Sequence, residues 1–243
     1  MCFPIDGINS AKLQLEQRRH GLERPFLSLG AVSIISFVVV SGLVFSHLTQ
    51  TGDAQLTLFI NQAYLGSTIS ALMVLAAEYG REYFWIPVVA AMLIFGDRKT
   101  KFLAMELAIL FLVGIALGET LKIVAYRARP FVGIEAITTR VPTDLDSSFP
   151  SGHVLIVTIG AAFCLLKFRK RAVSLLLSLE AAIVCYSRVY VGVHYPLDVV
   201  AGVLLGIGIV GIGLALLEGS MEAPIMKISS QVTGWLKEGP LKL

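Results

Sequence analysis

Three short stretches of this chain hold residue types that can do chemistry on a phosphate. They are Lys122-x6-Arg129-Pro130, Pro150-Ser151-Gly152-His153 and Ser187-Arg188-x5-His194-x3-Asp198. Together they supply three cations, two histidines and a carboxylate. Cations neutralise the charge of a phosphoryl group, and a histidine can attack it or protonate what leaves. Any one of these pieces is ordinary by itself: Ser-Gly-His is a common helix start, and a His four residues before an Asp is often a buried polar pair. Their joint occurrence, in order and each at the end of an apolar run, carries the reading.

Each residue can be given a role and a simpler alternative. Arg129 precedes Pro130, which biases it away from helical geometry and ends a helix nearby. Lys122 then points up from that helix while Arg129 returns from the loop, a point charge and a planar fork closing on one phosphate. The alternative for a cation at a span end is snorkelling to the headgroup layer. That is even with the functional reading for Lys122 alone and is the preferred reading of Arg127. Glu119, one turn before Lys122, is expected to hold it. Ser151 suits a helix N-cap, and Gly152 leaves room for an anion to approach the unpaired N–H groups of a helix N-terminus. His153 stands one residue further in, placed to protonate a leaving oxygen. Pro196 suits the first turn of a helix, so Asp198 lies one turn inside and can reach back to His194. A carboxylate on one ring nitrogen leaves the other free to attack, with histidine itself as nucleophile. Arg188 adds a third cation. Asp144 and Asp146 are two carboxylates without further ligands, read as loop solvation and not as a metal site; no metal or other cofactor is expected.

The elements that must position these groups are apolar helices. Of 243 residues, 56% are hydrophobic and 15% charged, and the mean hydropathy is +0.78, well above ordinary soluble domains. Apolar runs fall at Leu27 to Leu48, Tyr83 to Phe95, Phe102 to Val124, Val154 to Leu166, Ala172 to Tyr186 and Leu197 to Leu217. A membrane span needs about 20 such residues, so three suffice outright and three need their polar flanks. The expected fold is an all-α, polytopic membrane protein, a single domain over 1–243 with six transmembrane helices. Short interfacial helices are expected in the first extracellular loop, at Asp53 to Leu65 and Ser67 to Ala77, which form either the rim of a lipid entrance or a cap on the bundle. The second of these is read as interfacial or re-entrant because Glu78, Arg81 and Glu82 follow it.

Basic residues orient the bundle. The N-terminal segment (Lys12, Arg18, Arg19, Arg24), the loop at Arg98, Lys99 and Lys101, the loop at Lys167, Arg169, Lys170 and Arg171, and the tail (Lys227, Lys237, Lys242) hold 14 of the 20 Lys and Arg. With six spans these share one side, expected to be cytoplasmic with both termini. All three motifs then meet at the non-cytoplasmic face of a multi-pass cell-membrane protein. No cleavable signal is expected, the first apolar run serving as a signal anchor. Cys2 follows no apolar segment, which argues against lipoprotein processing, and Cys164 and Cys185 fall inside spans as small apolar residues. Trp235 fits a tail helix at the inner surface. The net charge of +3 gives no reason to invoke nucleic acid. The glycines of the last run allow close helix packing, either internal or in a dimer; the oligomeric state is open.

The three motifs, matching without a gap from Lys122 to Asp198, resemble the signatures of the type-2 phosphatidic acid phosphatase superfamily, and the six-span layout resembles its membrane-bound lipid phosphate phosphatases. The resemblance implies that His194 forms a phosphohistidine, Asp198 orients it and His153 is the general acid. It further implies that Lys122, Arg129, Ser151, Gly152 and Arg188 bind the phosphate without a metal ion. The implied activity is hydrolysis of a membrane lipid phosphate: phosphatidic acid, phosphatidylglycerol phosphate or a polyprenyl mono- or diphosphate. Two alternatives stand beside it. A phosphotransferase would use the same site with another acceptor, and a non-catalytic anion-binding carrier would need the cations but not the histidines and Asp198.

Overall fold

The structure is a computed structural model that describes the backbone of residues 5–168 and 170–238 and the side chains of 24–168 and 170–217. Cys2, Arg169 and Lys242 lie outside the described residues, as do the side chains of Lys12, Arg18, Arg19, Lys227, Trp235 and Lys237. The described residues are helical, in the order α1 (Ile5–Phe45), α2 (Gln50–Asn61), α3 (Gly66–Tyr79), α4 (Glu82–Phe95), α5 (Arg98–Val124), α6 (Pro130–Gly133), α7 (Gly152–Lys167), α8 (Arg171–Tyr190) and α9 (Pro196–Glu238). Five of the six apolar runs are helical throughout, and the first is helical as far as Phe45. Four segments are long and apolar enough to cross a membrane: Arg24–Phe45, Arg98–Val124, Arg171–Tyr190 and Pro196–Leu217. Helices α4 and α7 are shorter, at 14 and 16 residues, or about 21 and 24 Å at 1.5 Å per residue against a hydrocarbon core of about 30 Å.

The shortness of α7 follows from its place at the centre. Val154, Leu155, Val157, Ile159, Phe163 and Cys164 are all buried, so it is walled by protein and not by lipid. Helices α5, α8 and α9 pack against it, and α1 lies along α9. Close approach is bought by small residues: a Cβ on Gly211 would meet the backbone of Gly30 at 2.6 Å, and one on Gly202 would meet the Ser151 carbonyl at 2.9 Å. The glycines of the last span therefore serve internal packing between α9 and helices α1, α5 and α7. At the lower end of α7, Lys167 lies 3.7 Å from the buried carboxylate of Glu106 in α5.

Helices α3 and α4 form one interrupted path. The Ser70 hydroxyl meets the Tyr190 hydroxyl at 2.5 Å, the Ala77 carbonyl meets Arg188, and Gly80 abuts Val184, so α3 descends along α8. Helix α4 continues downward, with Trp85 packed on Gly160 and on Phe111. The break at Gly80–Arg81, where Arg81 leaves helical geometry (φ −100°, ψ −94°), falls level with the start of α7. Ser67 to Ala77, expected as an interfacial or re-entrant helix, lies within α3 and forms the upper part of the α3–α4 path. Helix α2 is pinned across the top: Asn61 donates to the Thr138 and Tyr190 carbonyls, each at 2.9 Å, and accepts from the Thr138 N–H.

Candidate active site

Four chain segments deliver the motif residues to one level of the bundle. Helix α5 is capped at its lower end by Asp97, whose side chain accepts from Thr100 N–H at 2.7 Å, and its last turn carries Lys122. The connection from α5 to α7 then brings in Arg129 and closes with Ser151. Helix α8 ends in a left-handed turn at Gly192 (φ +85°), where a Cβ would meet the Ile137 side chain at 2.7 Å, so both the backbone angle and the space require glycine there. That turn redirects the chain so that His194 points back under the loop before α9 starts at Pro196. The Ser151 N–H donates to the Asp198 carbonyl at 3.1 Å, locking the beginnings of α7 and α9 together.

His194 is buried, and its Nδ1 lies 2.8 Å from the Ser148 carbonyl. A carbonyl oxygen only accepts, so Nδ1 carries the proton and Nε2 keeps its lone pair. Burial first, then the charges of Arg188, Arg129 and Lys122, hold His194 well below its ordinary pKa near 6.5. The imidazole is therefore neutral at pH 7, the form that attacks. Asp198 is 3.7 Å from Nδ1, beyond hydrogen-bond range. In this structure the Ser148 carbonyl takes the Nδ1 bond, and Asp198 stands beside the ring as its i,i+4 neighbour. Asp198 instead accepts from the Tyr195 N–H at 2.9 Å, closing the first turn of its own helix.

The cations surround this histidine. Arg129 donates from Nη1 to the Val193 carbonyl at 3.0 Å, which fixes it beside the His194 turn. Arg188 is buried and donates to the Ala77 carbonyl at 2.7 Å, satisfying the exposed end of α3 at the helix break, while its Nε has no hydrogen-bond partner. The Ser151 hydroxyl also lacks one and is fully buried. Ser151 occupies the N-cap position of α7 but makes no capping bond, so the simple capping role is not the one it fills. Two orphaned buried polar groups beside a helix N-terminus are suited to an anion.

Three further residues belong to this cluster although their sequence gave them bland readings. Asp146, read as loop solvation, sits between the two motif cations: Lys122 Nζ is 2.6 Å from one carboxylate oxygen, and Arg129 donates to the other from Nε at 3.0 Å and Nη2 at 2.5 Å. Burial raises its pKa, but the hydrogen bonds and charges of Lys122 and Arg129 outweigh that and hold it below the usual carboxylate value. Glu119, the expected partner of Lys122, is 4.0 Å away and secondary to Asp146. Arg127, read as a snorkelling cation, does not reach outward at all. Its guanidinium donates to Asp198 Oδ1 at 2.5 Å and Asp53 Oδ2 at 2.6 Å and lies 4.0 Å over the Tyr195 ring. Asp53, from α2, in turn accepts from the Leu197 N–H at 3.0 Å. The pair Asp53–Arg127 thus supports Asp198 and the first turn of α9 from the outer side.

A helical bundle with phosphate-suited donors around a neutral histidine defines a class, and known proteins share it. Residues 103–221, which contain all three motifs, match the PAP2 superfamily. The chain is similar to the undecaprenyl-diphosphatase of Sulfolobus acidocaldarius, with 48% identity over 140 residues, 58% of this chain and 66% of that protein. The match therefore spans just under two thirds of the relative's length. Among solved structures, the fold resembles a transmembrane PAP2 type phosphatidylglycerolphosphate phosphatase from Bacillus subtilis (TM-score 0.66, 22% identity, 79% of this chain and 98% of that one). It also resembles Aquifex aeolicus LpxE (TM-score 0.58, 29% identity, 67% of this chain and 93% of that one). The chain is accordingly an all-helical, multi-pass membrane protein.

Proposed function

We propose that this protein is a membrane lipid phosphatase that removes the terminal phosphate of a polyprenyl diphosphate through a phosphohistidine at His194. The observation that carries the reading is the His194 tautomer: Nδ1 bound to the Ser148 carbonyl and Nε2 free, on a ring kept neutral among three cations. In the first step Nε2 bonds to the terminal phosphorus, the P–O bond to the leaving group breaks, and its electron pair goes to the leaving oxygen, with His153 as proton donor. Water then attacks the phosphorus of the phosphohistidine and gives a proton to His153, which restores the acid; the N–P bond breaks, its electron pair returns to Nε2, and phosphate departs. Lys122, Arg129 and Arg188, with the Ser151 hydroxyl and the Gly152 end of α7, neutralise the equatorial oxygens; for phosphoryl transfer such charge stabilisation and positioning supply most of the catalysis. Asp146 holds the first two of these cations in place until substrate phosphate replaces its carboxylate. Asp198 and Arg127 position the His194 turn, and no step requires a metal.

The polyprenyl choice is supported by the similarity to an undecaprenyl-diphosphatase and by a groove of about 610 Å³ between α8 and α9, floored by α7. Its walls are mostly apolar, including Ala161, Ala182, Tyr186, Val199 and Val203, and Ile60 of α2 belongs to its lining. Pro196 and Val199, in the first turn of α9, belong to its lining. A prenyl tail fits such a surface, since each buried methylene is worth about 0.8 kcal/mol. The site is read as facing away from the cytoplasm, with α3 and α4 together making one interrupted crossing among six. Phosphate release by purified protein from farnesyl diphosphate, phosphatidic acid and phosphatidylglycerol phosphate, in excess EDTA, tests the proposal. Turnover of the diphosphate is expected to exceed the others and to survive the chelator. Activity on none of them, or strict dependence on added magnesium, would overturn it.

A further inference from the structure

The α3–α4 break brings a fourth cation to the site, from outside all three motifs. Arg81 is the residue at the break, with a side chain only 17% exposed, and its Nε lies 2.8 Å from Glu82. One guanidinium nitrogen, Nη1, would stand 3.4 Å from a Cβ on Gly152, which places it against the first turn of α7 beside His153. Its charge bears on both His153 and Arg188. Irregular backbone inside a membrane bundle is tolerated where it lines a polar cavity or is satisfied by neighbours, and here Arg188 bonds the last turn of α3 at Ala77.

We propose that Arg81 is a specificity-determining residue that binds the inner phosphate of a diphosphate substrate. The proposal rests on the reading of His194 as nucleophile. In-line attack by Nε2 places the leaving group on the side of the phosphorus opposite His194, where His153 is assigned as acid. A cation against Gly152 and beside His153 therefore stands at the edge of the transferred phosphoryl on its leaving-group side, within reach of the bridging oxygen and of a second phosphate beyond it. An alkoxide needs a proton there and gains little from a second positive charge held on a rigid break. A lipid monophosphate leaving group carries negative charge that grows as the bridging P–O bond breaks and its electron pair moves to the bridging oxygen. Arg81 neutralises that charge, and the products are the phosphohistidine and the prenyl monophosphate. Three motif cations hold the first phosphate, and the fourth selects a substrate with two.

The test compares Arg81→Gln and Arg81→Lys with wild type on farnesyl diphosphate and farnesyl phosphate, alongside inhibition by inorganic pyrophosphate and phosphate. For Arg81→Gln, kcat/KM on the diphosphate is expected to fall by about a hundredfold, as for loss of one electrostatic donor, while the monophosphate changes by less than about threefold on the same scale. Arg81→Lys should recover part of the loss, and wild type should bind pyrophosphate more tightly than phosphate, a preference that Arg81→Gln abolishes. Equal losses on both substrates, with or without unfolding in a thermal melt, would overturn the assignment. So would equal binding of pyrophosphate and phosphate by wild type, a result independent of turnover. Wild-type protein that prefers pyrophosphate yet hydrolyses neither lipid would instead overturn the phosphatase reading and leave Arg81 as a diphosphate-binding residue.

Discussion

Arg127→Ala separates a surface cation from a structural one. The arginine side chain is 13% exposed, and its two carboxylate partners, Asp53 and Asp198, are 1% and 0% exposed. Removing one member of a buried ion pair leaves charge without compensation and costs about 3–5 kcal/mol. For a chain of this size, roughly 2–4 °C per kcal/mol converts that to a fall in melting temperature of order 10 °C. The variant also removes a charge-assisted hydrogen bond from Asp198, worth about 1.5–3 kcal/mol. If that bond positions the His194 turn in the transition state, kcat falls by about ten- to a hundredfold, with little change in KM because Arg127 does not touch substrate. Phosphate release and a thermal melt on the same detergent-purified sample read both effects. The double variant Asp53→Asn with Arg127→Met, which leaves Asp198 its Tyr195 N–H but removes the second buried carboxylate, should melt above Arg127→Ala, because the two changes share one network. A variant within threefold of wild-type activity and with an unaltered melt is what a snorkelling arginine would give, and it would refute the bridge.

Other predictions concern protons and sidedness. His194 has a depressed pKa in the folded state, so below about pH 6.5 the unfolded chain binds a proton that the native chain refuses. Stability from this residue is therefore complete above pH 6.5 and lost as pH falls; His194→Asn should flatten that part of the melting-temperature profile, and an unchanged slope would count against a buried neutral imidazole. His153→Ala should lose turnover of alkyl phosphates but retain phosphorylation by an aryl phosphate with a good leaving group, whereas equal loss on both would remove its acid role. In a variant lacking Cys2, Cys164 and Cys185, Thr143→Cys should react with an impermeant thiol reagent in intact cells and Lys170→Cys should not; the reverse pattern would put the site in the cytoplasm.

Much of the candidate site was legible because its residue types are those the proposed chemistry requires. Phosphate needs cations and attack needs an imidazole; a single cation at a span end can simply snorkel, but two histidines and a carboxylate beside three cations are not explained that way. The six apolar runs were equally clear, since each is long enough to stand out from its polar flanks. What escaped has physical causes. The bond that sets the His194 tautomer comes from the Ser148 carbonyl, and every residue has a carbonyl, so no side-chain pattern announces it. Asp198 four residues after His194 looked like its partner, but the first turn of α9 turns the carboxylate toward Tyr195 N–H and Arg127. The Asp53–Arg127 pair joins residues 74 apart and depends on how α2 folds back over the bundle. Asp146 could be seen as a loop carboxylate, but not as the clasp between Lys122 and Arg129. The α3–α4 break was hidden because Glu78, Arg81 and Glu82 made the preceding helix read as interfacial or re-entrant, whereas in the fold Arg81 lies inward at the start of α7.

The central claim is that phosphorus becomes bonded to His194. Farnesyl diphosphate mixed with the protein, quenched in alkali at successive times to preserve phosphoramidate and analysed by peptide mass spectrometry, tests it directly. The account predicts a transient phosphoryl adduct on the peptide containing His194, located to that residue, present in the pre-steady state and absent from His194→Ala. Release of phosphate over many turnovers with no adduct on His194 at any time, or an adduct located to His153, would contradict it.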